Sequence, residues 1–132
     1  MAREYRHRRR VQFYETDLVG IVHFAWYLRY MEEAEHALWR ASGLSIAAPD
    51  AVVTFPRVAV AVEYHAPLHF EDEIEILIRI DAQTRRSIRY VSEITRDGTR
   101  IATGTHTVVC VKKGPGPMQA VEIPETITSR LS

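Results

Sequence analysis

The sequence has little cysteine and no excess of charge of either sign. Its 132 residues include 17 Lys and Arg, 17 Asp and Glu, and one cysteine. Balanced charge argues against the basic field with which proteins bind nucleic acid, so we expect no nucleic-acid partner. The lone thiol, Cys110, allows no internal disulfide, which favours a reducing, cytoplasmic compartment.

Long apolar runs are also missing. No run approaches the roughly 20 residues of a membrane-spanning helix, and the basic residues 6–10 are not followed by the apolar core of a signal peptide. We therefore expect no membrane span. The sequence also has no internal repeat, and because it has no Cys and His spacing typical of zinc, we expect no metal. A length of 132 residues, 46% of them hydrophobic, instead predicts one domain over residues 1–132 with a substantial core.

The longest helical pattern follows a polar elbow at residues 15–20. The pattern predicts a helix that begins between Val22 and Ala25 and ends near Ser42. Gly43 is the residue type that most readily adopts the backbone conformation found just after a helix.

Two carboxylates interrupt the apolar stripe of this helix. Glu35 projects into the stripe and Glu32 lies on its flank. Because burying an unpaired charge is costly, each needs a partner or a chemical role. The stripe consists of Phe24, Tyr27, Leu28, Met31, Ala34, Leu38 and Ala41.

The rest of the chain is predicted to be mostly β-strand. Residues 72–82 alternate strictly and place four Ile on one face, which we expect to pack on the helix. Residues 5–14 predict a first strand with Val11 and Phe13 on the same face, and residues 57–64 predict a buried strand rich in Val. Two further strands are predicted at residues 87–95 and 100–112, joined by a turn at Asp97-Gly98, with the odd residues from Ile101 to Val109 on one face. A short helix is predicted from Pro124.

One long helix followed by antiparallel strands predicts an α+β fold with the helix packed on one sheet. The elbow is the candidate site. Asp17 stands before the helix and has two interpretations. It could cap the helix, or it could act beside the unpaired N–H groups of a helix start, which can hold an oxyanion. An acid next to an oxyanion site suits acyl hydrolysis. His23, at the same bend, is either a polar contact or a base.

The chain resembles the hot-dog-fold acyl-CoA thioesterases, in the subgroup of 4-hydroxybenzoyl-CoA thioesterase and the Tol-Pal-associated thioesterases. The resemblance implies one central helix wrapped by an antiparallel sheet, assembled as a homodimer or homotetramer. It is carried by Phe13, Thr16-Asp17, Gly20-Ile21-Val22-His23-Phe24, Tyr27, Tyr30 and Glu32, and later by Glu63-Tyr64-His65-Ala66-Pro67, Asp72, Gly98 and Ile123-Pro124-Glu125.

The resemblance also implies the roles of residues at the site. Asp17 falls on the catalytic acid, as nucleophile on the thioester carbonyl or as base for water. Phe24 supplies the backbone N–H that polarises the carbonyl, while His23 stands where relatives carry Tyr, Trp or His. Glu32 is a reserve catalytic group, and Glu35 departs from relatives that have Arg. No cofactor is implied, since coenzyme A is part of the substrate.

Substrate contacts are expected from Gly20, Val22 and Tyr27, although Tyr27 also suits the core or a dimer interface. The phosphates of coenzyme A favour Arg or Lys near the mouth of a groove, although each candidate is also an ordinary surface charge. These candidates are Arg57, Arg85, Arg86, Arg89, Lys112 and Lys113.

The sequence is also compatible with two other functions: a non-catalytic acyl-carrier or protein-interaction module, and an acyl-carrier dehydratase with a His-centred dyad. The sequence leaves open the acyl group, the choice between coenzyme A and acyl-carrier protein, and the choice between dimer and tetramer.

Overall fold

A computed structural model describes residues 3–132 as a five-stranded antiparallel sheet with one long helix packed against it, so the predicted α+β fold is confirmed. Within those residues, neither helix has the length and hydropathy needed to cross a bilayer. The elements are β1 (Glu4–Arg10), a 3-10 turn (Phe13–Glu15), α1 (Trp26–Ala41), β2 (Val53–Thr54), β3 (Arg57–Tyr64), β4 (Glu73–Gln83), β5 (Ser87–Arg96), β6 (Thr99–Val109), β7 (Val111–Lys112) and α2 (Glu125–Thr128).

The core lies between α1 and one face of the sheet, whose strand order is β1-β4-β5-β6-β3. Helix α1 packs against β1 and β4. The four Ile of β4 all face this core, as their alternation predicted. They are Ile74, Ile76, Ile78 and Ile80, and all four are buried. A second, two-stranded sheet pairs β2 with β7.

Two predicted chain reversals are confirmed at glycines. Gly43 has φ +77°, and its N–H donates to the Arg40 carbonyl, while the Leu44 N–H donates to the Trp39 carbonyl. This pair of hydrogen bonds is a Schellman motif that ends α1. The β5–β6 hairpin turns at Asp97 and Gly98, which both have positive φ, as a type I′ turn requires.

The prediction for the first strand was wrong at its C-terminal end. Strand β1 stops at Arg10, and residues 13–15 form a 3-10 turn. Val11 is buried, but Phe13 is 72% exposed, so the two do not share a face. The reason is local: the Gln12 N–H donates to the Glu15 carboxylate at 3.0 Å and closes the turn.

A buried ion pair fastens this turn to β1. Two guanidinium nitrogens of Arg9 donate to the two carboxylate oxygens of Glu15 at 2.8 and 2.7 Å. The Tyr30 hydroxyl of α1 donates to the same carboxylate at 2.7 Å. Arg9 also donates to Glu33 and lies 4.5 Å from the Tyr30 ring centroid. Strand, elbow and helix therefore meet at one carboxylate.

Strand β3 was predicted to be buried, and this was wrong. It is an edge strand that pairs only with β6 among the described residues. Val60 is 50% exposed, and Val58 is exposed as well. Val-rich composition does not distinguish a central strand from an edge strand that another surface could cover.

In strand β6, Thr103, Thr105, Thr107 and Val109 share one face as predicted, but Ile101 is buried and departs from it. The buried residues from position 102 onward are even-numbered, including Gly104, His106 and Val108. A register shift between Ile94 and Thr95 of β5 disturbs the pairing at the turn end. The middle of the predicted helical stripe is buried, but Leu28 and Ala41 of α1 are exposed, as is Phe24, which precedes the helix.

The Arg9–Glu15 pair is expected to control stability. Arg9→Met leaves Glu15 buried without its charge partner, so we expect the free energy of unfolding to fall by about 3–5 kcal/mol. The matched control is Arg8→Met on the same strand. Arg8 is 82% exposed and 3.4 Å from Glu75, so its loss should change the free energy by about 0.5 kcal/mol or less. Urea unfolding at pH 7 measures both values, and equal effects would contradict the assignment.

The same pair should make stability depend on pH. Burial alone would raise the pKa of Glu15, but hydrogen bonds from Arg9, the Gln12 N–H and Tyr30 outweigh burial and hold the pKa below its ordinary value of 4.5. A depressed pKa contributes stability above pH 4.5 that is lost as pH falls through the folded-state value. The difference in free energy of unfolding between wild type and Arg9→Met should therefore become smaller as the pH falls below 4.5.

Candidate functional site

The elbow holds Asp17 in a tight loop between the 3-10 turn and α1. The Val19 N–H donates to the Asp17 carboxylate at 2.9 Å, and the Gly20 N–H donates to the Asp17 carbonyl at 3.0 Å. The loop requires φ +88° at Gly20, a conformation that other residues rarely adopt. Asp17 is exposed, and the N-cap of α1 is Ala25. The structure therefore excludes Asp17 as the cap of α1.

At the helix start, the described residues leave the backbone N–H of Phe24 free. The His23 N–H donates to the Glu15 carbonyl at 2.8 Å, and the Trp26 N–H donates to the His23 carbonyl at 3.0 Å. The Ala25 N–H donates to His23 Nδ1 at 3.1 Å. The Phe24 N–H, between them, finds no acceptor anywhere in residues 3–132. It can therefore donate to a ligand.

Asp17 and Phe24 line the same cavity, which has a volume of about 400 Å³. Of the predicted contact residues, Val22 and Tyr27 line it as well, while Gly20 only shapes the adjoining loop. The full lining is Asp17, Ile21, Val22, Phe24, Tyr27, Tyr64, Ala66 and Pro67.

Two tyrosines form the wall of this cavity. The rings of Tyr27 and Tyr64 meet edge to face with centroids 4.9 Å apart. The Tyr64 hydroxyl donates to the Phe24 carbonyl at 2.9 Å. Tyr27 is only 3% exposed, and its hydroxyl has no hydrogen-bond partner in the described part of the chain. Burial, reinforced by Tyr64, raises the pKa of Tyr27 to about 12, so its phenol stays neutral near pH 7.

His23 supports the backbone. Its Nδ1 accepts the Ala25 N–H, which places the proton of a neutral ring on Nε2. The ring stacks on Phe24 with centroids 4.4 Å apart. The side chain is half-buried and does not line the cavity.

The two helix carboxylates lie away from the cavity. Glu32 forms a surface pair with Arg29 at 3.0 Å. Glu35 is buried, accepts a hydrogen bond from Arg57 and lies 3.1 Å from Nε2 of His106. The partner that a buried carboxylate needs is thus supplied by Arg57 and His106.

The arginines proposed for phosphate binding do not reach Asp17 within one chain. Arg57 and Tyr64 lie at opposite ends of the eight-residue strand β3. Arg85, Arg86 and Arg89 lie at the Arg57 end, because Ile88 of β5 and Arg57 both pair with Val108. Arg85 is 3.4 Å from Glu122 and Arg89 is 3.1 Å from Asp81.

Sequence reasoning missed two residues that build the site. From the sequence, Glu15 was assigned no role beyond its place in the elbow. A glutamate three residues after Gln12 does, however, fit the spacing of a capping box. Tyr64 was noted only within a segment of resemblance, and nothing in the sequence shows that its hydroxyl reaches Phe24. Among the described residues, no group of three His, Cys, Asp or Glu could hold a metal.

Known proteins match this chain over nearly its whole length. The model of the thioesterase-like superfamily matches residues 11–131. The acyl-CoA thioester hydrolase YbgC of Escherichia coli is 30% identical over 122 residues, which cover 91% of this chain and 90% of that protein. The 1,4-dihydroxy-2-naphthoyl-CoA hydrolase of Synechococcus elongatus is 27% identical over 112 residues, covering 83% of this chain and 82% of that protein.

A solved structure has the same fold at low sequence identity. The 4-hydroxybenzoyl-CoA thioesterase from Pseudomonas sp. strain CBS-3 superposes with a TM-score of 0.87, covers 97% of this chain and 99% of its own, and is 18% identical. This chain therefore belongs to the thioesterase-like superfamily and has its hot-dog fold.

Proposed function

We propose that this protein hydrolyses an acyl-CoA thioester to the free acid and coenzyme A. One observation carries the proposal: Asp17 and Phe24, whose backbone N–H finds no acceptor in residues 3–132, line the same cavity. A carboxylate and an oxyanion donor are the two groups that attack on a thioester carbonyl requires. The thioesterases to which the chain is similar support the same reaction.

In the proposed reaction, the Phe24 N–H donates to the thioester carbonyl oxygen and stabilises the negative charge that develops there. Asp17 either attacks the carbonyl carbon, forming an anhydride that water then cleaves, or removes a proton from an attacking water. In both routes the C–S bond breaks and the thiolate of coenzyme A takes up a proton. A thioester is already activated, so the proposal requires no metal or organic cofactor.

The cavity wall supports contacts with the acyl or pantetheine part of the substrate. Val22 is apolar, and the Tyr27 hydroxyl can donate or accept. Thiol release from coenzyme A thioesters, compared with release from acyl-carrier-protein thioesters, identifies the carrier. Arg85, Arg86 and Arg89 remain our candidates for the phosphates, whereas Arg57 already donates to Glu35.

We also infer a cytoplasmic location, supported by the single buried free thiol, Cys110.

We propose that two copies associate through the β3 edge. An exposed edge strand with apolar side chains such as Val58 and Val60 favours pairing with another strand. Antiparallel pairing of two β3 strands would place the Arg57 end of one copy beside the Tyr64 end of the other. Such a dimer would bring arginines of one copy toward the cavity of its partner.

The first test is thiol release from acetyl-, hexanoyl-, palmitoyl-, benzoyl- and 4-hydroxybenzoyl-CoA. Asp17→Asn keeps the size of the side chain but removes its basicity, so kcat should fall by about 10²- to 10⁴-fold. Asp50→Asn is the matched control: Asp50 is exposed on the loop between α1 and β2, and this change should leave kcat unaltered.

The outcomes separate the candidate functions. Equal hydrolysis by wild type and Asp17→Asn would exclude a catalytic role for Asp17. Glu32→Gln would then be the next variant to assay. No thiol release from coenzyme A or acyl-carrier-protein thioesters would contradict the proposal and favour a binding module.

A second prediction concerns His23. Asn at this position can accept the N–H two residues ahead, as His23 Nδ1 does for Ala25. His23→Asn should therefore keep kcat within about threefold of wild type, while His23→Ala should lose about tenfold. Steady-state kinetics with the best thioester measure both. If both variants lose activity equally, His23 acts as a base.

A third prediction concerns assembly. Val60→Lys places a charge on the β3 edge and should convert the dimer to a monomer in sedimentation velocity. Val52→Lys is the control, because Val52 is also exposed but precedes the β2 strand. A wild-type monomer, or an unchanged Val60→Lys oligomer, would contradict the β3 interface.

A further inference from the structure

The oxyanion donor belongs to a residue that its own side chain does not anchor. Phe24 is 66% exposed, and its ring touches the neighbouring ring of His23. The direction of its N–H must therefore be fixed through the peptide unit that carries it and through the next unit along the chain. The Phe24 N–H belongs to the same peptide unit as the His23 carbonyl, which accepts the Trp26 N–H at 3.0 Å.

The following peptide unit is held from both sides. Its N–H, that of Ala25, donates to His23 Nδ1, and its carbonyl, that of Phe24, accepts the Tyr64 hydroxyl at 2.9 Å. The first contact is local, whereas the second joins residues 40 positions apart. The Tyr64 contact ties the helix start to the sheet, because Tyr64 is the last residue of β3.

Tyr64 is well placed to hold this carbonyl. Its ring meets Tyr27 edge to face, which limits the directions available to the hydroxyl. Burial raises the pKa of Tyr64, so the phenol keeps the proton that it donates. Tyr64 also lines the cavity with Asp17 and Phe24.

We propose that Tyr64 is a positioning residue for thioester hydrolysis, whose hydroxyl fixes the peptide unit after Phe24 and thereby directs the Phe24 N–H at the thioester carbonyl. The proposal rests on the function proposed above. Losing the hydroxyl frees the backbone at Phe24 without removing any group that attacks the substrate. The charge that develops in the transition state is then stabilised less well, while binding of the ground state changes little.

The test is Tyr64→Phe, which keeps the ring and its contact with Tyr27 but deletes the hydrogen bond. We expect kcat to fall about tenfold with KM within about twofold, because one misdirected oxyanion donor costs part of the 10²- to 10³-fold effect of losing it. Tyr14→Phe is the matched control. Tyr14 is exposed, packs edge to face on Trp26, and its hydroxyl bonds to nothing in residues 3–132, so its kcat should equal that of wild type.

A second readout follows carbonyl polarisation directly. In the Asp17→Asn background, bound benzoyl-CoA labelled with ¹³C at its carbonyl should show a lowered infrared stretching frequency. Adding Tyr64→Phe should return the frequency toward its value in water. A purely structural role would instead lower the melting temperature and leave this frequency in place.

The outcomes distinguish the two proposals. If wild type is active, Asp17→Asn is inactive, and Tyr64→Phe matches wild type in kcat and carbonyl frequency, the role of Tyr64 is overturned while the thioesterase function stands. If wild type releases no thiol from any thioester, the proposed function fails and the role of Tyr64 fails with it.

Discussion

The bidentate pair between Arg9 and Glu15 is the contact on which the rest of the site depends. Glu15 is completely buried, and its carboxylate joins β1, the 3-10 turn and α1 through Arg9, the Gln12 N–H and Tyr30. A buried charge of this kind is tolerated only when its partners are all in place. It therefore admits one geometry for the elbow, and the backbone carbonyl of Glu15 then positions His23.

The residues that hold the elbow in place are buried, whereas the candidate catalytic acid is exposed. Glu15 and Tyr30 are buried and held by several hydrogen bonds, whereas Asp17 is exposed on a loop shaped by Gly20. The Phe24 N–H, which finds no acceptor in residues 3–132, follows His23, whose own N–H is held by the Glu15 carbonyl. A fixed donor and an accessible acid are what the proposed hydrolysis needs. The β3 edge adds a third element, since the hydroxyl of its last residue, Tyr64, donates to the Phe24 carbonyl.

Much of the fold could be read from local patterns. The Ile alternation of β4 located the core face, and Gly43 and Asp97-Gly98 marked chain reversals, because each pattern reflects backbone geometry within a few residues. The errors had one long-range cause and one local cause. Strand β3 has a Val-rich sequence suited to burial, yet the order of strands in the sheet puts it at the edge. The first strand ended early because the Gln12 N–H donates to the Glu15 side chain and closes a turn.

Local sequence patterns are sufficient to predict the α+β arrangement, the helix with its C-terminal stop, and an elbow with Asp17 before the helix. Contacts formed on folding establish that Asp17 does not cap α1, that Glu35 is bound by Arg57 and His106, and that Tyr64 holds the Phe24 carbonyl. The difference lies in the separation of the interacting residues along the chain. Helix stops and strand faces depend on neighbours a few residues apart, whereas partners of buried charges and of backbone groups are brought together from positions 22 to 71 residues away.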